Sequence, residues 1–529
     1  MASPETGYVT DQEYTHGYYA ELNPLRLRLA LLNGGLKPPV IEHACELGFG
    51  QGVSVNLHAA ASPVAWQGTD FNAAQVVRAG EMAAASGADV HLADEDFATF
   101  CARDDLPMFD YIALHGIWSW VGDANRRTLV DFIRRRLNPG GAVYVSYNTL
   151  PGWAAMLPVR ELIRAHADVL GAPAVGSAAQ WDEAFAFVER LWQSDPAFAR
   201  AHPQLQQALA QLKTQDRRYL AHEFLNRDWT PMSVTQMGDW LGDARLSLAG
   251  SAQPLDDIAA LQLSSSQQAL LEEIGHPLLQ AATRDVMVNQ RFRRDYWLKG
   301  ARRLNALEVA AHLRREHVVL LQPAADVTLE VKGAHGSAAL QPQIYQPVLA
   351  ALDGQRSRTI AELEAEVHKA GVTFNQLREA LRVLVGKGAV APAQAPEVAD
   401  RVRPQCARLN EHLCSQAALG SEVGYLASPV TGGGVSVAPV EQCFLDARRT
   451  GLTQPEAWAE VAWRVLIAQG QRLMRDGQPL ATETENRNAL IEQARRFMDN
   501  RLPLPIMTVY MRWMSRLVME WIKPLKRCR

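Results

Sequence analysis

The chain has 529 residues, 48% hydrophobic and 21% charged, with 36 glycines and 28 prolines, which is globular usage and excludes a disordered, collagen-like or small disulfide-stapled protein. At roughly 100 to 200 residues per domain, this length implies about three or four domains. Fifty-three basic against 57 acidic residues leave a formal charge of −4, so no chain-wide field draws nucleic acid or an anionic membrane.

The N-terminal residues 1–17 are polar, with no basic start and no apolar core, and do not read as an export signal. Six cysteines (Cys45, Cys101, Cys406, Cys414, Cys443, Cys528) form no CxxC pair and no His-paired spacing, which predicts reduced thiols in a cytoplasmic protein without structural zinc.

Residues 39–148 alternate short apolar runs with helical stretches, the signature of a parallel sheet with crossover helices. Strands are expected at 40–46, 65–70, 90–93, 109–115 and 142–148, and helices at 53–60, 73–86 and 124–137. This predicts a Rossmann-like, doubly wound α/β domain over 1–170. Beyond Trp153 the strand signals vanish, and 3.6-residue apolar spacing predicts a helical middle domain over 171–300. Residues 301–395 bring back β-rich runs and then a helix, a break at Gly371, a second helix and a turn at Gly388, an order that is winged-helix-like. Arg378, Arg382 and Lys387 on its second helix are offset by Glu379, which favours protein docking or a structural role over DNA binding. A turn-rich run at 426–435 opens a mostly helical final domain over 396–529. Its stretch 502–525 is apolar but interrupted by Arg512, Arg516, Glu520 and Lys523. An amphipathic helix with a basic end is expected there, since a membrane span wants about 20 apolar residues.

The richest chemical signal is ELGFGQG at 46–52, where the first strand gives way to a helix. Glycines at such a junction let the backbone turn tightly and approach a ligand, and the helix N-terminus offers free N–H groups. The spacing Gly48, Gly50, Gly52 departs from the dinucleotide fingerprint, because Val53 stands where its third glycine belongs. Asp70, with Phe71 beside it, ends the second strand where an acid can bond ribose hydroxyls. After the third strand come Asp94, Glu95, Asp96 and Phe97, a carboxylate and a ring that suit an adenine, or else a plain solvated turn.

The glycine turn, the two acidic positions and the LNPGG turn at 137–141 together resemble the class I S-adenosylmethionine-dependent methyltransferases. By that resemblance Glu46 lies near the methionine end of the cofactor and Asp70 bonds its ribose. YTHGYY (14–19), HGIWSW (115–120), YNTLPGW (147–153), YLAHEFLN (219–226) and RDVMVNQRFRR (284–294) narrow the likeness to bacterial methyltransferases with a methyltransferase regulatory domain, a group that includes the rickettsial protein lysine methyltransferases. The YTHGYY form departs from those lysine enzymes and marks a sister branch.

An acceptor is expected at the carboxyl edge of the sheet, where Trp118, Trp120, Tyr147 and Trp153 form an aromatic wall attractive to a sulfonium, or equally pack as core, with Tyr18 and Asn148 as further substrate contacts. Tyr18, His115 and Tyr147 are candidates for proton handling, and His115 also for contact with the cofactor or for a structural, backbone-contacting role. LHGIW at 114–118 stands where amino-group DNA methyltransferases carry a base clamp, and no cysteine occupies that loop, so a nucleic-acid acceptor is disfavoured. His222 and Glu223 fail the HExxH zinc pattern because Asn226 replaces its second histidine, leaving capping, an interface contact or closure of the acceptor cleft. The expected activity is methyl transfer from S-adenosylmethionine, without metal, to a protein or peptide acceptor, first of all a lysine amine. A small-molecule acceptor and a catalytically silent regulator are the alternatives, and a homodimer is compatible with the sequence.

Overall fold

The computed structural model describes residues 16–171, 176–354, 357–475 and 477–502; the expected basic helix falls outside them except for Leu502. The five expected strands form as β1 (His43–Leu47), β2 (Ala65–Asp70), β3 (Val90–Asp94), β4 (Phe109–Leu114) and β5 (Leu137–Asn148). All pair in parallel, in the order β3-β2-β1-β4-β5. LNPGG is the first part of β5, with a register irregularity opposite Phe109 and Tyr111, instead of a free turn.

Two further strands correct the expectation of a strand-free middle region. β6 (Leu246–Ser251) and β7 (Phe292–Lys299) extend the sheet to seven strands, with β7 antiparallel to both β5 and β6. The sheet therefore draws residues from well beyond position 170. Phe292–Lys299 reads FRRDYWLK, in which Arg293 and Asp295 interrupt any apolar pattern. Both are buried and bonded to each other, Arg293 Nε donating to Asp295 Oδ2 at 2.8 Å, so mutual pairing takes the place of apolar character. β6 is a short edge strand of small residues and carries its own signal poorly.

Helices α1 (Pro24–Asn33), α2 (Val53–Ala61) and α3 (Ala73–Ser86) share one face of the sheet with Trp66, Tyr111, Tyr144 and Tyr296. α4 (Phe97–Ala102) and α5 (Asp123–Arg136) cover the other, with Phe109, Val143, Val145 and Tyr147. Between β5 and β6 the chain leaves the sheet for a helical cap, α6 (Leu157–Leu170), α7 (Ser177–Gln193), α8 (Ala197–Ala201), α9 (Gln204–Leu212) and α10 (Arg217–Leu225), whose own core holds Trp153, Trp181, Phe185 and Phe224. It returns to β6 through α11 (Val234–Gly242), and α12 (Ala259–Gln262), α13 (Ser265–Glu272) and α14 (Pro277–Val288) connect β6 to β7.

α15 (Ala306–Arg315), β8 (His317–Leu320), the hairpin β9 (Glu330–Gly333) and β10 (Gly336–Ala339), α16 (Pro342–Leu352), β11 (Arg358–Thr359), α17 (Ile360–Val367), α18 (Phe374–Gly386) and β12 (Val390–Ala393) form a separate core around Leu363, Leu377 and Leu384. The two expected helices are present, but the central strand of the small sheet, β8, precedes them, and β12 runs directly into the next helix instead of a wing hairpin. The basic side chains of α18 and of Lys387 just after it are engaged inside the chain. Arg378 donates to Asn33 Oδ1 at 2.9 Å and to its carbonyl at 2.5 Å, and Lys387 to the Thr328 carbonyl at 2.5 Å.

α19 (Pro396–Ala417), the hairpin β13 (Tyr425–Ser428) and β14 (Gly433–Ser436), α20 (Pro439–Arg449), α21 (Pro455–Ala468) and α22 (Glu483–Arg496) pack on the outer side of α2 through Val53, Leu57 and Ala60. Every residue of α2 is buried, because the sheet closes one side and this final unit the other. Among the described residues no helix is long and apolar enough to cross a membrane.

Candidate active site at the carboxyl edge of the sheet

The loop between β1 and α2 turns at Gly48, Gly50 and Gly52, with φ of +74°, +57° and +71°. That left-handed conformation is costly for any residue with a Cβ. Space is closed too: a Cβ on Gly48 would overlap Ile117, and one on Gly52 would overlap Ala79. Asp70 holds the loop, its Oδ2 accepting the Gly50 N–H at 2.8 Å while Oδ1 accepts the Asn72 N–H at 3.0 Å. Burial is the larger influence on Asp70 and lifts its carboxyl to about 6 against these bonds.

Glu46 lies behind the loop, buried, with Oε2 lacking a partner in the protein. Burial first, and the Asp70 charge second, push its carboxyl up to about 8. A buried carboxylate with an unfilled oxygen beside a glycine loop fits a ligand ammonium. Asp94 is paired in register with Asp70 and exposed. Glu95 reaches Arg103 at 3.5 Å with one oxygen while the other is buried and unpartnered; Phe97 opens α4 half-buried beside them, and Asp96 caps that helix through the Thr99 N–H at 2.8 Å. Phe71 follows Asp70 directly, half-buried. Glu46, the three glycines, Asp70, Glu95 and Phe97 thus belong to adjoining strand ends, an arrangement that suits an amino-acid group at one end and a nucleoside at the other.

His115 ends β4 half-buried, its Nδ1 2.9 Å from the Tyr144 hydroxyl. Tyr19 stacks on its ring at 3.5 Å between centroids. Burial, and secondly the Arg294 charge, lower the imidazole to about 3, which favours its neutral form. Tyr18, the residue singled out in YTHGYY, turns the other way. Its ring lies 5.2 Å from His58 and 5.4 Å from Tyr425, and a Cβ on Gly433 would overlap its hydroxyl. Tyr18 belongs to the contact with the final unit, and its neighbour Tyr19 faces the site; adjacent residues on extended backbone point oppositely, which a motif does not disclose.

The aromatic wall does not assemble as expected. Trp118 is fully buried on the α5 face, with Nε1 3.3 Å from Met232 Sδ and its ring edge-on to Trp240. Tyr147 is on that same face of β5, donating to Asp295 Oδ2 at 2.8 Å, and is unavailable for catalysis. Arg293 extends this network by bonding Asp285 Oδ1 at 2.5 Å. Trp153 is in the core of the cap, edge-on to Trp229 at 4.8 Å, with Arg291 over its face at 4.1 Å. Trp120 is half-buried against Trp229.

Asn148 does reach the site, on the opposite face of β5 from Tyr147. Its Nδ2 donates to Glu223 Oε1 at 3.3 Å, and its backbone N–H to Ser119 Oγ at 2.9 Å. Tyr219, one turn before Glu223 on α10, hydrogen-bonds the same carboxyl. Burial outweighs the nearby Arg160 and Arg291 and lifts Glu223 to about 7. The failed zinc pattern concealed this placement. Among the described residues no three metal-ligating side chains cluster.

Residues 216–299 match the family model described as "predicted methyltransferase regulatory domain". The chain is 35% identical over 503 residues to the uncharacterized protein sll1526 of Synechocystis, covering 94% of this chain and 98% of that one. The uncharacterized protein RP028 of Rickettsia prowazekii is 32% identical over 140 residues, 25% of this chain and 54% of its own. Among solved structures, PKMT2 from Rickettsia typhi in complex with AdoHcy superposes with a TM-score of 0.65 at 17% identity, covering 92% of this chain and 98% of that one, which establishes a shared fold.

Proposed function

We propose that this chain, a member of the family of class I methyltransferases that carry a methyltransferase regulatory domain, moves a methyl group from S-adenosylmethionine to a protein amine, first of all a lysine side chain. The observation that carries this reading is the unpartnered, buried oxygen of Glu46 behind a glycine loop in which Gly48 and Gly52 leave no room for a Cβ. The donor supplies an electrophilic methyl on a sulfonium. Glu46 would take its ammonium, Asp70 the ribose, and Glu95 with Phe97 the adenine, while the Gly48–Gly52 backbone lies against it. The acceptor enters at the ends of β4 and β5, past Tyr19, His115 and Asn148.

A protein acceptor is favoured over nucleic acid because the cations of α18 and of Lys387 just after it are bonded within the chain, which removes the basic face a groove reader needs. Resemblance to the rickettsial protein lysine methyltransferases supports the amine. The test is incubation with methyl-labelled S-adenosylmethionine and fractionated lysate. Label that survives acid hydrolysis as methyl-lysine is expected. Label confined to small molecules overturns the acceptor, and no binding of S-adenosylhomocysteine overturns the methyltransferase reading itself.

A further inference from the structure

We propose that Glu223, carried by the regulatory domain instead of the catalytic sheet, is the group that receives the acceptor's ammonium and takes its proton before methyl transfer. The inference rests on the amine-methyltransferase reading above and deepens it, because it makes the regulatory domain part of the acceptor site.

The placement is specific. α10 leaves the cap core through Leu220 and Phe224 and sets Tyr219 and Glu223 a turn apart on one side. Glu223 meets the carboxyl end of β5 through Asn148 at 3.3 Å, and Tyr219 hydrogen-bonds the same carboxyl from one turn earlier on α10. The end of β5 and α10, far apart in sequence, therefore supply the two partners of one buried carboxyl group. An ionised carboxylate has about four acceptor positions, and Asn148 with the Tyr219 hydroxyl occupies two, leaving room for an ammonium.

The charges facing Glu223 come from other elements. On α6, Arg160 donates to the carbonyls of Glu223 at 3.1 Å and Asn226 at 2.7 Å and lies over Trp229; Arg291, just before β7, lies over Trp153. Both act on the carboxyl as nearby positive charges, and burial prevails over them. These same two cations, with the sulfonium, lower the affinity of a nearby amine for its proton, which narrows the gap between a lysine at its ordinary value of about 10.4 and Glu223. Two of the expected residues, Tyr18 and Tyr147, point away from this site. Tyr18 packs on the final unit, and Tyr147 is bonded on the far face of the sheet.

The step balances. The acceptor R–NH3+ gives one proton to a Glu223 oxygen and becomes R–NH2. Its lone pair forms the nitrogen–carbon bond to the methyl as the carbon–sulfur bond breaks and that electron pair stays on sulfur. The products are R–NH2+–CH3, S-adenosylhomocysteine and a neutral Glu223, which returns its proton to solvent.

Two measurements on the full chain test this. In the first, binding of Nα-acetyl-lysine methylamide to the S-adenosylhomocysteine complex is followed by calorimetry from pH 5.5 to 8.5. Wild type is expected to bind more tightly as pH rises through about 7, and Glu223→Gln to bind at least about tenfold more weakly with that dependence gone. In the second, methyl transfer to the labelled lysate protein shows an acid limb near the same pH in wild type and a flat, slow profile in Glu223→Gln, with S-adenosylhomocysteine affinity unchanged. A Glu223→Gln chain that keeps the acid limb and rate overturns the inference and leaves the amine reading standing. A wild type that binds S-adenosylhomocysteine but labels no amine overturns both, and one that binds no cofactor overturns the methyltransferase reading first.

Discussion

The Asp70 carboxylate accepts the backbone N–H of Gly50 at 2.8 Å, tying the end of β2 to the glycine loop that follows β1. An acid expected to serve a ligand's ribose is thus also part of the scaffold that shapes the loop. Asp70→Ala removes both roles. The expected result is at least a tenfold loss of S-adenosylhomocysteine affinity, about 1.4 kcal/mol, measured by calorimetry on a folded variant. Unchanged affinity would remove Asp70 from the cofactor site.

Gly52→Ala places a Cβ at φ +71° against the Cβ of Ala79. Strain and overlap together should destabilise the chain by about 1–3 kcal/mol, seen as a lowered denaturation midpoint, with cofactor affinity falling in parallel. Gly35, also at positive φ but with open space around it, is the control: its alanine variant should lose stability without losing cofactor affinity.

Tyr147→Phe deletes the hydroxyl that donates to Asp295. Stability should drop by about 1–3 kcal/mol while turnover per folded molecule holds, because the residue faces the α5 core. Arg293→Ala should be worse, about 3–5 kcal/mol, since it strands Asp285 and Asp295 as buried acids. A large loss of turnover in a stable Tyr147→Phe chain would restore Tyr147 as a catalytic group.

Glu46 titrates at about 8 in the folded chain, against an ordinary 4.5. Below pH 4.5 the carboxyl is protonated in folded and unfolded chains alike and costs nothing. Between 4.5 and about 8 only the unfolded chain gives up the proton, so stability falls as pH rises through that window and levels off above it. A ligand ammonium reverses the penalty by favouring the ionised form. Cofactor binding at pH 7 should release about one proton per site, read from calorimetry in buffers of different ionisation enthalpy. Glu46→Gln should abolish that release and flatten the stability profile over the same range.

The sequence by itself determined the glycine loop, the acids that end β2 and β3, and the parallel strands between 43 and 148, because each depends on residues within one turn or one strand. Local patterning located β2 and α3 to the residue, Ala65–Asp70 and Ala73–Ser86. The tertiary structure alone decided which way neighbouring residues point and what far-off chain they meet. Tyr18 and Tyr19 differ by one position, yet one packs on a hairpin some 400 residues away and the other stacks on His115. β7 was hidden because its charges are neutralised by each other, and a pairing partner is invisible to periodicity. Glu223 read as half of a broken zinc motif until the fold brought Asn148 to it across 75 residues. Spacing along the chain reports local conformation, whereas burial, the charge a group carries and the partner that shifts it are set by contacts between residues distant in sequence.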